Sequence, residues 1–186
     1  MTALLQRPAK RARLSALVML LAGCLSYPAA TVGEEMMTEY QLKAAFLYNF
    51  SRFVSWPAPA RNTFRLCVVG ENPFGPLLDS LSGKTAHNSI LIVEQHNSPD
   101  HINDCQLVYI SDTLEPGLNS MLAGLANRPI LTVSDIESFT DAGGMIEFTL
   151  SDNRIRFEIN TVAAANAGLV ISSKLLSLAT SVKTGQ

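Results

Sequence analysis

The chain has 186 residues, of which 47% are hydrophobic and 16% charged. So much apolar side chain with so little net charge excludes disorder over most of the length, and the length suits one domain. Lys+Arg number 14 against Asp+Glu 16, and four of the cations (Arg7, Lys10, Arg11, Arg13) precede residue 14. Without residues 1–23 the balance is ten to sixteen, a net charge of −6. That leaves no electrostatic footprint for a phosphate backbone and excludes a nucleic-acid binder.

The N-terminus reads as an export signal. A basic block without acids precedes the apolar run 14–22, about half the ~20 residues that span a bilayer. Leu21-Ala22-Gly23-Cys24 resembles a lipobox, in which the Cys24 thiol is acylated and becomes the new N-terminus. Ordinary cleavage near Pro28-Ala29-Ala30, with Cys24 discarded, is the alternative. Both export the chain, and a lipobox places it in a bacterial periplasm. Cys67 and Cys105 then remain, and an oxidising compartment favours their pairing. The cross-link is worth ~3–4 kcal/mol in the chain-entropy view. Two buried free thiols are the other reading, and no metal-type cysteine spacing occurs.

Residues 24–37 are small, acidic and aperiodic and read as a linker. One domain is expected over 38–180. Thr38 and Gln41 fit a capping box that opens a helix to about residue 55. Leu42, Ala45, Phe46, Phe50, Phe53 and Val54 give that helix an apolar face, and Trp56-Pro57 stops it. Strands are expected at 64–70, 90–94, 107–111 and 129–133, with helices at 73–81 and 115–125 between them. Three of the strands are near-continuous apolar runs, which suits parallel strands covered on both faces. A hairpin follows over 145–150 and 154–160, turning at Ser151-Asp152-Asn153. A short helix over 161–167 ends at Gly168, and Ser172 or Ser173 caps a last helix with Leu175, Leu176 and Leu178. The final residues are expected to fray. The class is α/β, a Rossmann-like, mostly parallel sheet with flanking helices, a C-terminal hairpin and further helices. In such a sheet the strands carrying Cys67 and Cys105 are often neighbours.

Few motifs carry chemistry. Gly83-Lys84-Thr85 is similar to the end of a P-loop, but Leu78 stands where the motif needs glycine, so a turn explains it better. The segment 70–75 lacks the G-x-G-x-x-G spacing and reads as a strand-to-helix turn with Pro73 in the first helical turn. Asp112 with Glu115, and Ser134 with Glu137, read as capping boxes. Asp112 and Asp135 are also where a hydrolase on this sheet would place carboxylates. His87, His96 and His101 share a polar stretch with Glu94, Asp100 and Asp104, but the irregular spacing reads as a solvated loop. No nucleophile elbow occurs, so no catalytic residue, metal or cofactor is assigned. Arg154 and Arg156 alternate with Ile155 and Phe157. Their face, shared with Glu158, is either an ion-paired surface or a docking surface for an acidic partner.

Two longer stretches are more specific: YQLKAAFLYNFSRFVSWP at 40–57 and GGMIEFTLSDNRIRFEINTVAAANAGLVISSKLLSLA at 143–179. With the alternating middle they resemble the YfiR-like family of bacterial periplasmic proteins across essentially the whole mature chain. The resemblance implies a regulator rather than an enzyme. It would bind the periplasmic domain of an inner-membrane diguanylate cyclase and repress it, limiting cyclic-di-GMP signalling and biofilm formation. It also implies a homodimer, sequestration by an outer-membrane peptidoglycan-binding lipoprotein, and redox control. With no cysteine after Cys105, that control would rest on Cys67 and Cys105 alone. Phe46, Phe50 and Phe53 are expected to pack, whereas Tyr40, Lys43 and Asn49 lie elsewhere on the helix. Those three, with Arg154, Arg156 and Lys174, are the expected partner-binding residues. The alternative is a periplasmic small-ligand binding or sensor protein using the crevice near Gly70, Ser111 and Ser134.

Overall fold

The computed structural model describes residues 32–58, 62–152 and 154–185, and the side chains from Thr38 onward. The expected signal peptide, the Cys24 site and the first part of the linker lie outside the described residues, as does Asn153 of the hairpin turn.

The chain enters as α1 (Val32–Phe53), so the helix starts six residues before Thr38. Thr38 lies inside it and is not its N-cap. Glu34, Glu35, Met36 and Met37 are good helix formers, and acids are favourable in the first turns of a helix. Arg52 occupies the last turn, where the dipole favours a cation. Two residues, β1 (Val54–Ser55), follow directly. The helix stops there, ahead of Pro57, in line with the restriction on residues before proline.

The main sheet follows. β2 (Thr63–Val69) leads through a 3-10 turn at Gly75–Leu81 to β3 (Thr85–Ala86) and β4 (Ser89–His96). Pro76 at the start of that turn supplies no N–H, and the expected α-helix is a 3-10 helix instead. β5 (Leu107–Ile110), a 3-10 turn at Asp112–Gly117, α2 (Leu118–Leu125) and β6 (Leu131–Ser134) come next. Ser111, not Asp112, caps the 112–117 turn, accepting from the Thr113 amide. β7 (Ile146–Ser151) and β8 (Arg154–Asn160) form the antiparallel hairpin. α3 (Thr161–Asn166) is capped by Asn160 and followed by Gly168 at φ 72°. β9 (Val170–Ile171) pairs with β1, and Ser172 caps α4 (Ser173–Leu176). The tail does not fray: β10 (Ser181–Lys183) pairs in parallel with β8.

The eight-stranded sheet has the order β10-β8-β7-β6-β5-β2-β4-β3. Its centre, β7-β6-β5-β2-β4, is parallel. Every residue of β5 and β6 is buried, as the unbroken apolar runs require. Alternate side chains feed two cores. One holds Leu66, Tyr109, Val133, Phe148 and Phe157 under α1. The other holds Cys67, Val69, Val108, Ile110 and Phe139 under α2 and the turns before it. Within the first core Phe50 is 5.2 Å from Phe157 and 5.7 Å from Phe148 between ring centres, and Phe46 is 5.4 Å from Phe157. Phe46, Phe50 and Phe53 are therefore packing residues. Among the described residues, no helix is long and apolar enough to cross a membrane.

Candidate functional site

Tyr109 is the third residue of β5, and Asp135 follows directly after β6. Their side chains meet α1 at the C-terminal ends of the strands. Lys43 Nζ lies 2.7 Å from Asp135 Oδ2 and 2.5 Å from Glu39 Oε1, one helical turn back. Tyr109 donates its hydroxyl to Asp135 Oδ1 at 2.7 Å. The Lys43 ammonium also sits 4.5 Å from the centre of the Tyr40 ring. That ring packs edge-on against Phe74, which packs edge-on against Tyr109. Lys43 is 4% exposed, so it is not the surface contact expected from its place on the helix. A buried ammonium needs a counter-ion, and Asp135 supplies it from a strand end distant in sequence. Lys43 is thus a positioning residue that pins α1 to the sheet.

The electrostatics follow from that arrangement. Burial pushes the Lys43 ammonium down, but its hydrogen bonds to Asp135 and Glu39 outweigh this and hold it above the ordinary lysine value. Burial raises the Tyr109 hydroxyl strongly, and the Asp135 charge raises it further. Tyr40 is raised as well, again chiefly by burial. Asp135 is held at the strand end between a lysine and a tyrosine.

Where the strand order reverses, between β2 and β5, the backbone at Gly70 packs closely. A Cβ on Gly70 would stand 2.8 Å from Thr113 Oγ1 and 3.0 Å from Ser111 Cβ. Gly70 takes φ 91° to make this approach. Ser111 and Ser134 are buried. Ser134 donates to the Ile110 carbonyl at 2.7 Å and accepts from the Ile136 amide at 3.1 Å. Gly70, Ser111 and Ser134 are thus packed against other protein atoms. Open space lies elsewhere: about 350 Å³ between α1 and the 75–81 turn, and about 280 Å³ beside α2 and α3.

The remaining expected contact residues do not converge. Tyr40 is half-buried in the node just described. Asn49, also half-buried, lines the groove along α1 with Tyr48 and Lys84. Lys174 is exposed on the α1 side, its Nζ 5.1 Å from the centre of the Phe53 ring. Arg154 and Arg156 are exposed on β8, opposite in direction to Ile155 and Phe157, which face the α1 core. Among the described residues neither arginine forms an ion pair with Glu158, so the ion-paired surface does not form.

Cys67 and Cys105 are joined, with Cα atoms 6.0 Å apart. Cys67 is paired in register with Val108 of β5, and Cys105 leads into that strand. Both sulfurs lie in the second core. The same face receives a residue the sequence did not connect with them. His96 ends β4, opposite Val69 of β2, and its ring approaches both cysteines. His87, by contrast, packs edge-on against Trp56, and His101 is exposed. The signal that could have singled out His96 is its two-residue spacing from Glu94, which places both side chains on one face of the strand.

Gly83 stands in a turn at φ 85°, as its sequence suggests, whereas Thr85 already opens β3. A solved structure described as a conserved domain protein from Vibrio cholerae O1 biovar El Tor strain N16961 is similar to this chain at 14% identity and a TM-score of 0.52. The match covers 77% of this chain and 60% of that one, and it shows a shared fold. The family model described as YfiR/HmsC-like matches residues 40–180, which include both end motifs and the parallel sheet between them. The chain therefore belongs to the YfiR/HmsC-like family.

Proposed function

We propose that this protein is a periplasmic negative regulator that binds the periplasmic domain of an inner-membrane diguanylate cyclase and represses it. The observation that carries this reading is the family match across the folded domain. Export by the N-terminal signal, with or without acylation of Cys24, would deliver the domain to that compartment. Repression would be a population shift: the regulator binds the inactive cyclase state more tightly than the active one. Moving a two-state equilibrium from 1:99 to 99:1 takes about 5.5 kcal/mol of differential binding.

Arg154 and Arg156 would meet carboxylates of the cyclase, since guanidinium groups recognise carboxylates in paired geometry. Tyr40, Asn49 and Lys174 lie on the α1 side of the sheet, away from the arginines, and would serve a second contact. A second copy of this chain, or a sequestering outer-membrane lipoprotein, fits that role.

The test is intracellular cyclic-di-GMP in cells that carry the cognate cyclase. Deleting the gene raises it, and restoring the gene lowers it. An unchanged level in both strains overturns the reading.

A further inference from the structure

Beside the second core stands a half-buried side chain that neither the packing nor the proposed regulation uses. His96 Nε2 is buried and accepts or donates no hydrogen bond. Glu94 Oε2 lies 3.4 Å away, but in a direction that makes none. One ligand atom each from His96, Cys67 and Cys105 lies within 4.8 Å of the others. These residues come from β4, from β2 and from the approach to β5, so three strands of one parallel sheet set the separation. We propose that, once the Cys67–Cys105 bond is reduced, Cys67, Cys105 and His96 bind a zinc ion.

The chemistry of the set fits that ion. Two thiolates and an imidazole are a borderline-soft donor set, and zinc takes four ligands in tetrahedral array. With zinc–sulfur bonds of about 2.3 Å the two sulfurs must part to roughly 3.7 Å, which side-chain rotation allows without moving the strands. Two thiolates, one neutral imidazole and Zn²⁺ sum to zero charge. That suits the apolar cluster in which both cysteines sit with Val69, Val108 and Ile110. Glu94 is held through Oε1 by Arg65 Nε at 2.9 Å, which fixes its Oε2 on the Nε2 side of the His96 ring. Water completes the fourth position.

The steps balance. A dithiol reductant delivers two electrons and two protons. The sulfur–sulfur bond breaks, two thiols form, and the reductant leaves as its own disulfide. Zinc then displaces both thiol protons to solvent. The site exists only in the reduced chain, because sulfurs bound to each other are not thiolates.

The full-length chain carrying Cys24→Ser decides the matter, so that only these two thiols are counted. It is reduced with a dithiol, desalted without oxygen and titrated with Co²⁺. One equivalent should give thiolate-to-cobalt charge-transfer absorption that Zn²⁺ bleaches, and the oxidised chain should give none. His96→Ala should weaken binding at least tenfold, and His87→Ala should leave it unchanged. Circular dichroism confirms the fold in each case. If His96→Ala does not fold, the Zn²⁺-induced shift of the His96 ring resonances in the reduced Cys24→Ser chain replaces it. An unfolded reduced chain, no one-to-one absorption, equal binding by the oxidised chain, full affinity in His96→Ala, or an unmoved His96 ring each overturns the site. None of these outcomes depends on which partner the protein represses.

Discussion

The two faces of the sheet are covered by different means. A 22-residue helix lies on one, seated by Phe46 and Phe50 and pinned by Lys43 to Asp135. The other carries the eight-residue α2, short 3-10 turns and a covalent bond between Cys67 and Cys105. A long helix buries its stripe by packing alone. Short turns order many backbone residues for little apolar area, and a cross-link offsets that by restricting the unfolded chain. The two faces should therefore respond to different perturbations.

The largest expected effect is on the aromatic face. Phe50→Ala should cost about 3–5 kcal/mol, read as a lower urea midpoint. A loss under about 1 kcal/mol would show that the helix is held elsewhere. Replacing Cys67 and Cys105 together by alanine should cost about 3 kcal/mol and speed hydrogen exchange in α2 more than in α1. Equal acceleration of both helices would erase the distinction between the faces.

The Lys43 node comes next. Lys43→Met should cost about 2 kcal/mol, less than the roughly 3–5 of a fully buried pair, because Asp135 is 18% exposed and keeps the Tyr109 hydroxyl. The node also sets the alkaline limit. Tyr109, Lys43 and Tyr40 are all raised in the folded chain, so each folded form holds its proton longer than the unfolded form. Their contribution is full below the ordinary values of 10.0 for tyrosine and 10.5 for lysine, and is lost as pH rises beyond them. Melting temperature should fall steeply above about pH 10, and Tyr109→Phe should flatten that fall at a cost of about 1 kcal/mol near neutral pH. An unchanged alkaline slope in Tyr109→Phe removes the node from the explanation. The smallest stability effect is expected for Arg154→Ala with Arg156→Ala, within about 0.5 kcal/mol of the parent. The same pair should release cyclase repression. A pair that still represses fully rules out the β8 face as the contact.

Local patterns made much of this fold legible. The apolar runs at β2, β5 and β6, the hairpin and the Asn160–Gly168 helix stand close to their expected places. The cysteine pair followed from compartment and topology together. What escaped depends on contacts distant in sequence. Glu39 and Lys43 show their one-turn spacing in the sequence, but nothing local announces Asp135, so a buried ion pair reads as a surface lysine. β10 is three residues of weak pattern and exists because β8 offers it an edge. His96 reads as a loop residue until the parallel register of β2 and β4 sets it beside Val69. The groove along α1 that Asn49 lines could not be anticipated, because the leucines of 75–81 suggest a helix but nothing local says that this segment faces α1.

One detail of the sheet margin governs how this molecule meets copies of itself. β10 covers only Glu158, Ile159 and Asn160 of β8, and the Phe157 carbonyl is taken by the Thr180 amide at 2.9 Å. Residues 154–156 stay open, and two of the three are arginines. Laying two such margins together would crowd four guanidinium groups against one another. Charged residues of this kind protect an open strand from templating aggregates. Neutralising both positions should therefore shorten the time the protein remains clear in concentrated solution, even where its melting temperature does not move.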